Sequence, residues 1–404
     1  MDGSIKKWLG WGLLNLAIVA LYGVTMRYKI AFDFPFFDQK NLLHAHSHFA
    51  FSGWISQVLY AGLMWIGFPY LSELKRKKYH WLMAWNLIAS FGMLIAFTIQ
   101  GYKAISISFS TLSIVIAVAF AIVFIKDLKC LPKPHPAKRW SIVGLLLNVV
   151  SAVGPLFLAY MMATKNIDHN YYLGSVYYYL HFQYSGWFFF GSMAIMVNYL
   201  PANFPSLNKN FNVFAATVIP TFFLSILWAQ LPNWLYIITV LATFLQLITW
   251  LFLLMRLFKY FKPKAKSAAW FKWFFYVVAL ALTLKFALQA VSVVPSLSQL
   301  VFGFRPIVIA YLHLVLLGVY SLFLLGFLFE QKVIQPSKTA KLMAFVFMFG
   351  VLLNELFLGI QGVASFAYIA VPMINELLFG AAVVLLLGAA GMFVAKVTQR
   401  KSLD

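Results

Sequence analysis

The sequence predicts an all-α, polytopic membrane protein, and three observations support this fold class. Hydrophobic residues make up 63% of the 404 residues and charged residues only 10%, which is more apolar surface than a soluble domain of this size can bury. Apolar runs of about 20 residues recur along the whole chain. Lysine and arginine are concentrated in alternate loops between these runs. We therefore expect one transmembrane domain, residues 1–404, with no separate module outside the membrane.

About twelve of these runs are long enough to cross a bilayer as helices. Each is apolar over the roughly 20 residues that a hydrocarbon core of about 30 Å requires. No cleavable signal peptide is expected, because the first run lacks a small-residue cleavage site. The twelve predicted spans lie near 8–28, 44–70, 80–101, 104–125, 140–163, 175–199, 211–231, 234–257, 270–294, 306–329, 341–362 and 371–395.

The distribution of positive charge predicts how the helices are oriented. Of the 31 Lys and Arg residues, 24 fall on one side of the predicted spans, including the basic loop 256–272, and six on the other. The positive-inside rule then places both termini in the cytoplasm, for a multi-pass protein of the inner (plasma) membrane. The net charge of +21 follows from this topology, so we expect membrane lipid and not nucleic acid as a partner. The single Cys130 excludes an internal disulfide and an iron–sulfur cluster.

Three histidines recur inside the predicted spans at nearly equal intervals. His48, His181 and His313 follow one another at 133 and 132 residues, and a glycine stands five residues after each. This interval equals four spans, which predicts three arcs of four helices in a pseudo-threefold arrangement, with the histidines in spans 2, 6 and 10. All three spans enter from the outer face, so the imidazoles are expected in the outer half of the bilayer. Because an imidazole is costly in hydrocarbon, each is a functional candidate.

Span 2 begins with the run His44-Ala45-His46-Ser47-His48. At 3.6 residues per turn His44 and His48 share a helix face, and His46 points away from it. A pair at i and i+4 can hold a metal, or one member can ligate a haem iron while the other contacts a propionate. A polar cap at the helix mouth is the alternative that needs no ligand. His181 has a similar alternative, which is a hydrogen bond between helices. His313 has fewer polar neighbours and is harder to satisfy without a ligand.

This pattern resembles subunit I of the haem–copper oxidase superfamily, and the closest resemblance is to C-type oxidases and nitric oxide reductases. The stretch from His181 through Gly191 to Pro201 is similar to the family's sixth span, whose histidine is a ligand of the non-haem metal. Tyr311-Leu312-His313 resembles the tenth-span motif, in which the second histidine binds the low-spin haem and the first binds the high-spin haem. His313 matches the second histidine, and Tyr311 stands in the place of the first. NnrS-type membrane haem proteins, which are linked to nitric oxide stress, offer a similar picture.

The resemblance implies a haem, of the b type, held between span 2 and His313. His44 matches the span-2 ligand by its spacing to Gly53, while the internal repeat favours His48. Arg305 at the outer mouth of span 10 is a candidate for contact with the haem propionates, and equally for a lipid-headgroup anchor. A cytochrome or a quinol would be the electron donor.

The sequence departs from the family at the copper site. No histidine lies between His181 and His313, so the family's pair of histidines on span 7 is absent, and span 7 has no tyrosine. Copper needs imidazole or thiolate ligands, so no standard copper-containing binuclear centre is expected. If the protein is an oxidoreductase, we expect a remodelled catalytic site formed by His181, Tyr184 and Tyr311, with a metal bound at His181. Neither the oligomeric state nor the substrate follows from the sequence.

Two classes of function follow from these patterns. The first is a membrane haem protein that transfers electrons or handles a diatomic gas, either oxygen or nitric oxide. The alternative is a proton-coupled metal-ion transporter, in which His44, His46 and His48 capture a divalent metal and Lys285 and Glu355 couple protons. Transporters of twelve spans often show inverted or twofold repeats, so a threefold repeat favours the haem protein.

Overall fold

The computed structural model describes residues 1–201, 203–261, 269–297 and 304–401, and these ranges contain helices and no strand. Part of the predicted basic loop, positions 262–268, lies outside the described residues. The first helices are α1 (Gly3–Ala31), α2 (Gln39–Phe49), α3 (Gln57–Gly67), α4 (Glu73–Gln100) and α5 (Ala104–Asp127). They are followed by α6 (Pro136–Ser151), α7 (Val153–Ala163), α8 (His169–His181), α9 (Phe188–Val197), α10 (Leu207–Thr217), α11 (Asn233–Phe261) and α12 (Lys272–Val291). The last are α13 (Arg305–His313), α14 (Leu322–Glu330), α15 (Lys338–Phe366) and α16 (Ile374–Lys401).

Shorter helical segments join several of these helices. Three of them are π-helical, Ala50–Ser56, Phe182–Trp187 and Leu314–Ser321, and they link α2 to α3, α8 to α9 and α13 to α14. A 3₁₀ segment of ten residues, Pro220–Ala229, follows α10. Further 3₁₀ turns lie at Phe68–Tyr70, Leu128–Cys130 and Ala269–Phe271.

Eleven helical stretches within the described ranges are long and apolar enough to cross a membrane, which confirms a polytopic membrane protein. Each of the eleven corresponds to one predicted span. The predicted span at 175–199 is the exception. It is a continuous helix from His169 to Val197 through the π-helical segment, but it does not reach the same apolarity. The six tyrosines and the His and Gln side chains of this helix lower its mean hydropathy.

Side-chain caps begin the two helices that carry the first two repeat histidines. The Asp38 carboxylate accepts a hydrogen bond from the Asn41 amide at 2.9 Å, and α2 starts at the next residue after Asp38. The Asp168 carboxylate accepts from the amides of Asn170 and Tyr171 at 2.9 and 3.0 Å, and starts α8 in the same way. Aspartate is among the best N-cap residues, because its oxygen pairs an amide that the helix leaves open. These caps fix where the histidine-bearing helices begin.

The chain divides into two compact units. The first unit comprises Met1–Phe120 and Ser321–Asp404, and the second comprises Ala121–Tyr320. In the first unit α16 packs against α1 and α15, and α2 packs against α4. In the second unit α6 packs against α9, α7 against α8 and α11 against α12. Fully buried aromatic side chains fill both cores, among them Trp54, Tyr79 and Phe97 in the first unit and Trp140, Trp187 and Phe214 in the second.

Candidate functional site

A π-helical segment begins within two residues after each repeat histidine. The described part of the chain has three such segments, and they begin two residues after His48 and one residue after His181 and His313. The glycine that follows each histidine by five residues lies inside the segment. π-helical turns are rare, and they occur often at functional sites because the extra residue re-aims side chains and leaves carbonyls open. The local structure therefore repeats wherever the sequence motif repeats.

The glycines of the second and third motifs allow close approach of the preceding span. A Cβ atom built on Gly186 would lie 2.9 Å from the Cβ of Leu147, on α6. A Cβ atom built on Gly318 would lie 3.2 Å from the Cβ of Ala281, on α12. A larger residue at Gly186 would therefore push the two helices apart. Glycine is needed here for space between helices rather than for an unusual backbone angle.

In the first unit, side chains of neighbouring helices bind the carbonyls of the π-helical segment. The Asn15 amide of α1 donates to the Gly53 carbonyl at 2.6 Å, and the Asn86 amide of α4 donates to the Ser52 carbonyl at 3.1 Å. Asn86 also donates to the Gln57 side chain at 2.8 Å. A buried carbonyl without a partner costs about 1–3 kcal/mol, so these amides stabilise the irregular turn. Both donor residues and all three acceptor residues are buried.

His44 and His48 lie on one face of α2, against the end of α4, as the helical period predicts. The His48 ring stacks on Phe97 with ring centres 4.6 Å apart, and its Nε2 lies 3.1 Å from the Tyr102 hydroxyl. The Tyr102 ring meets His44 edge to face at 4.5 Å. The Nε2 atom of His44 is buried and has no hydrogen-bond partner among the described residues. Of the two imidazoles, His48 is bonded at Nε2 and His44 still has a ring nitrogen available for a ligand.

Tyr102 reaches these histidines because the chain turns sharply after α4. Gly101 caps that helix with φ of 65°, a left-handed conformation that only glycine adopts without strain. A Cβ atom at this position would also collide with the Asn41 side chain of α2. The hydrogen bond from the Gly101 amide to the Phe97 carbonyl at 2.9 Å is the last one of the helix. Gly101 is therefore a positioning residue for the His44–His48 site, and sequence reasoning missed it together with Tyr102.

His46 points to a different neighbour, which confirms the predicted separation. Its Nδ1 lies 3.1 Å from the carbonyl oxygen of Val19 on α1, so this nitrogen carries the proton. Within the ranges described, no group of three or more His, Cys, Asp or Glu side chains is arranged to hold a metal ion. The histidine run thus divides between two helix faces. Its three imidazoles do not form the shared metal site that the transporter alternative predicts.

His181 is completely buried in the second unit. Its Nε2 donates to the Val218 carbonyl at 2.8 Å, which fixes the tautomer, and its Nδ1 has no partner among the residues that the structure describes. The rings of Phe222 and Tyr184 lie 5.8 and 6.1 Å away, centre to centre. The site therefore presents one basic ring nitrogen, surrounded by aromatic side chains.

The Val218 carbonyl is available to His181 because the chain changes helix type at Pro220. The amide of Phe222 bonds to the Ile219 carbonyl at 3.1 Å, which is 3₁₀ geometry, and so leaves the Val218 carbonyl without its α-helical partner. The Thr221 hydroxyl donates to the same oxygen at 3.2 Å. The proline in the middle of span 7 is the sequence signal that would have indicated this break.

His313 is the last residue of α13, where its Nδ1 bonds to the carbonyl of Ile309, one turn earlier, at 2.8 Å. Because a carbonyl only accepts, Nδ1 carries the proton and Nε2 carries the lone pair. Haem-ligating histidines commonly have this arrangement, in which one ring nitrogen is anchored and the other is basic. The ring is half-buried.

The structure brings the predicted tyrosines of the second unit together. The rings of Tyr184 and Tyr311 meet edge to face with centres 5.9 Å apart, and Tyr184 lies next to His181. The Tyr320 hydroxyl, which sequence reasoning missed, donates to the Tyr184 carbonyl inside the π-helical segment. Tyr184 therefore lies next to both His181 and Tyr311.

The remaining charged candidates are Arg305, Lys285 and Glu355, and of these Lys285 lies close enough to His181 to interact with it electrostatically. Arg305 is exposed in the first turn of α13, about 12 Å along the helix from His313. Lys285 is 1% exposed, and its Nζ lies 4.3 Å from the centre of the Phe286 ring. Glu355 accepts a hydrogen bond from the Asn354 side chain at 3.1 Å. Neither Lys285 nor Glu355 has an oppositely charged partner within 4.0 Å in the described ranges.

The histidines fit a group that is bound through imidazole nitrogen. His44 and His181 each present a buried ring nitrogen without a partner in the described structure, and the anchored Nδ1 of His313 leaves its Nε2 basic. Comparison with known proteins adds no relative to this picture. No protein-family model matches the chain, and no curated protein matches it significantly.

Proposed function

We propose that this chain is a haem-binding membrane protein similar in architecture to subunit I of haem–copper oxidases, which transfers electrons or handles oxygen or nitric oxide. The observation that carries the proposal is the coincidence of each repeat histidine with a π-helical segment. An irregular turn costs backbone hydrogen bonds, and it recurs at three imidazoles in apolar helices. A role for these imidazoles as ligands explains both features together.

The sequence resemblance makes His44 and His313 the candidate haem ligands, and each has its own surroundings. His44 has a buried Nε2 without a partner in the described residues, whereas the Nε2 of His48 is already bonded to Tyr102. Tyr102 and Phe97 orient His48 and shield the face that it shares with His44. Ile309 fixes the tautomer of His313. A haem held by these imidazoles would supply a one-electron couple for electron transfer.

The finer topology belongs to the same proposal. We infer twelve spans in three arcs of four, with both termini on the cytoplasmic side of the inner membrane. The regular interval of the three motifs supports the arcs, and the excess of Lys and Arg in alternate loops supports the orientation. Copper has no place in the proposal, because His181 is the only imidazole available in that part of the sequence.

The test is the absorption spectrum of the protein purified from cells supplied with haem, before and after reduction. We expect a haem spectrum with low-spin character. His44→Ala and His313→Ala should each abolish that character if the imidazole that is removed is a ligand. His46→Ala, on the other face of α2, and His169→Ala, at an exposed helix start, are the controls and should leave the spectrum unchanged. A preparation that is folded but free of haem would disprove the proposal.

Catalysis at His181 is a second candidate, favoured by its buried Nδ1 without a partner in the described chain. Tyr184 and Tyr311 beside it would supply hydroxyl groups to a bound gas or metal. The purified, reduced protein should then consume oxygen or nitric oxide, and His181→Ala should abolish consumption while the low-spin spectrum stays. The absence of turnover with an efficient electron donor would leave electron transfer alone.

A further inference from the structure

A cleft of about 730 Å³ lies in the second unit between α7, the start of α8 and the 3₁₀ segment Pro220–Ala229. The 3₁₀ segment gives the cleft an irregular wall. Ile226 is non-helical, with φ of −132°, and Gln230 follows the segment in a left-handed conformation with φ of 51°. A volume of this size is typical of sites for small organic molecules.

Aromatic side chains supply most of the large residues that line the cleft. The exposed fractions of Phe157 and Tyr171 are 41% and 66%, so a ligand can reach both rings. The face of an aromatic ring carries negative potential, and it attracts a cation that lies within about 6 Å of the ring centre. The aromatic residues of the lining are Phe157, Tyr171, Tyr178, Phe222 and Trp228.

Asp168 is the only charged residue among the described residues that line the cleft. Its Oδ1 accepts hydrogen bonds from the amides of Asn170 and Tyr171 at 2.9 and 3.0 Å, and these bonds hold the carboxylate at the start of α8. In the described ranges its Oδ2 accepts no hydrogen bond, and no Lys or Arg nitrogen lies within 4.0 Å of the carboxylate. The lining therefore has an unbalanced negative charge, which favours a positively charged ligand.

We propose that the cleft binds a free organic cation, an alkylated ammonium group attached to an apolar or aromatic body. A primary ammonium group needs acceptors for three N–H donors, whereas a fully alkylated one has no N–H to satisfy. Ring faces and one carboxylate stabilise an alkylated cation, and the lining offers both. The inference goes beyond the proposed function, because none of these residues needs a haem.

The lining favours a free cation over the headgroup of a zwitterionic lipid. Such a headgroup carries a phosphate close to its ammonium group. Among the described residues that line the cleft there is no Lys or Arg to pair with a phosphate, and Asp168 would repel it.

The experiment measures binding of radiolabelled benzyltrimethylammonium to the purified full-length protein in a non-ionic detergent. We expect saturable binding that weakens as the salt concentration rises, because salt screens the attraction to Asp168. Choline and its neutral carbon analogue, in which a tert-butyl group replaces the trimethylammonium group, are then compared as competitors. Choline should displace the label at a concentration about tenfold lower than its neutral analogue.

Asp168→Asn tests the carboxylate. Asparagine also caps helices well, so α8 is expected to keep its start, and binding of the cation should weaken about fivefold. Asp38→Asn is the matched control, because Asp38 caps α2 in the first unit in the same way and the substitution removes the same charge. Binding by Asp38→Asn should equal that of the wild type. Equal weakening in both variants would show that the overall charge of the protein attracts the cation, and would overturn the inference.

Phe157→Leu tests the aromatic wall. Leucine keeps an apolar side chain and removes the ring, so binding of the cation should weaken about threefold. Phe345→Leu is the control, since Phe345 lies on α15 in the first unit and has a similar exposed fraction of 38%. Wild-type affinity in Phe157→Leu would contradict a role of the ring in cation binding.

Three further results would overturn the inference. The first is the absence of saturable binding of benzyltrimethylammonium. The second is equal displacement by choline and its neutral analogue, which would show that the cleft selects shape alone. The third is displacement by glycerophosphocholine at the same concentration as by choline, which would assign the cleft to a lipid headgroup.

Discussion

The side chain of Asn15 reaches across from α1 and donates a hydrogen bond of 2.6 Å to the carbonyl oxygen of Gly53, inside the first π-helical segment. The two residues are 38 positions apart in the sequence and both are buried. In the second unit Leu147, also on the preceding span, faces Gly186 of the second π-helical segment. Each π-helical segment thus lies against the span that precedes it, and in the first unit that span also donates a hydrogen bond to the segment.

Asn15→Leu tests this contact. The substitution removes the donor and leaves the Gly53 carbonyl buried without it, so unfolding free energy should fall by about 1–3 kcal/mol. Thermal unfolding of the detergent-solubilised protein measures the change. Ser108→Ala, at an exposed site where the hydroxyl bonds only within its own helix, is the control and should stay close to wild type. Equal melting temperatures for the two variants would show that the carbonyl needs no partner.

Gly101→Ala tests the turn that positions Tyr102. Alanine at φ of 65° costs about 1–2 kcal/mol, and its methyl group would collide with the Asn41 side chain. We expect lower thermal stability and, because Tyr102 moves away from His44 and His48, lower haem occupancy. Gly359→Ala is the matched control, since a Cβ atom there has nothing within 4 Å. If the Gly101→Ala protein is destabilised but keeps the haem occupancy of the wild type, Tyr102 is not needed for haem binding.

Cys130 is a natural reporter of orientation. It is the only cysteine, it is exposed, and it lies in the loop between predicted spans 4 and 5, on the basic side. A membrane-impermeant maleimide should therefore label the protein in inverted vesicles and spare it in right-side-out vesicles. Cys130→Ser controls for labelling of other groups. The reverse pattern would place the termini outside.

Lys285→Met is expected to stabilise the protein. The ammonium group is buried among aromatic side chains, and no carboxylate lies within 4.0 Å in the described part of the chain. A charged side chain at the centre of a membrane helix costs about 2.5–3.5 kcal/mol on insertion scales. The melting temperature should rise, whereas Lys259→Met, at an exposed helix end, should change little. A lower melting temperature for Lys285→Met would instead indicate that the amine stabilises the protein, for example through its cation–π contact with Phe286.

Much of the first site followed from helical periodicity. Because i and i+4 lie one above the other, the sequence placed His44 and His48 on one face and His46 on another, and the structure confirms both faces. Helical periodicity could not predict which residues of other helices and loops contact those faces. Tyr102 lies in a loop and Val19 on another helix, and no local pattern connects them to the histidines.

The sequence alone predicted a polytopic helical membrane protein with three comparable motifs. The prediction came from the composition, from the length of the apolar runs and from the regular interval of three histidines. These properties depend on neighbouring residues and on hydrocarbon thickness, both of which a single sequence contains. Only the tertiary structure decided which imidazole nitrogens are bonded, and that the chain becomes π-helical beside each histidine and 3₁₀-helical after Pro220. Backbone carbonyls that lose their helical partner at those turns accept hydrogen bonds from side chains of other helices. Which side chains reach them depends on how the helices pack, and the order of residues along the chain does not specify this.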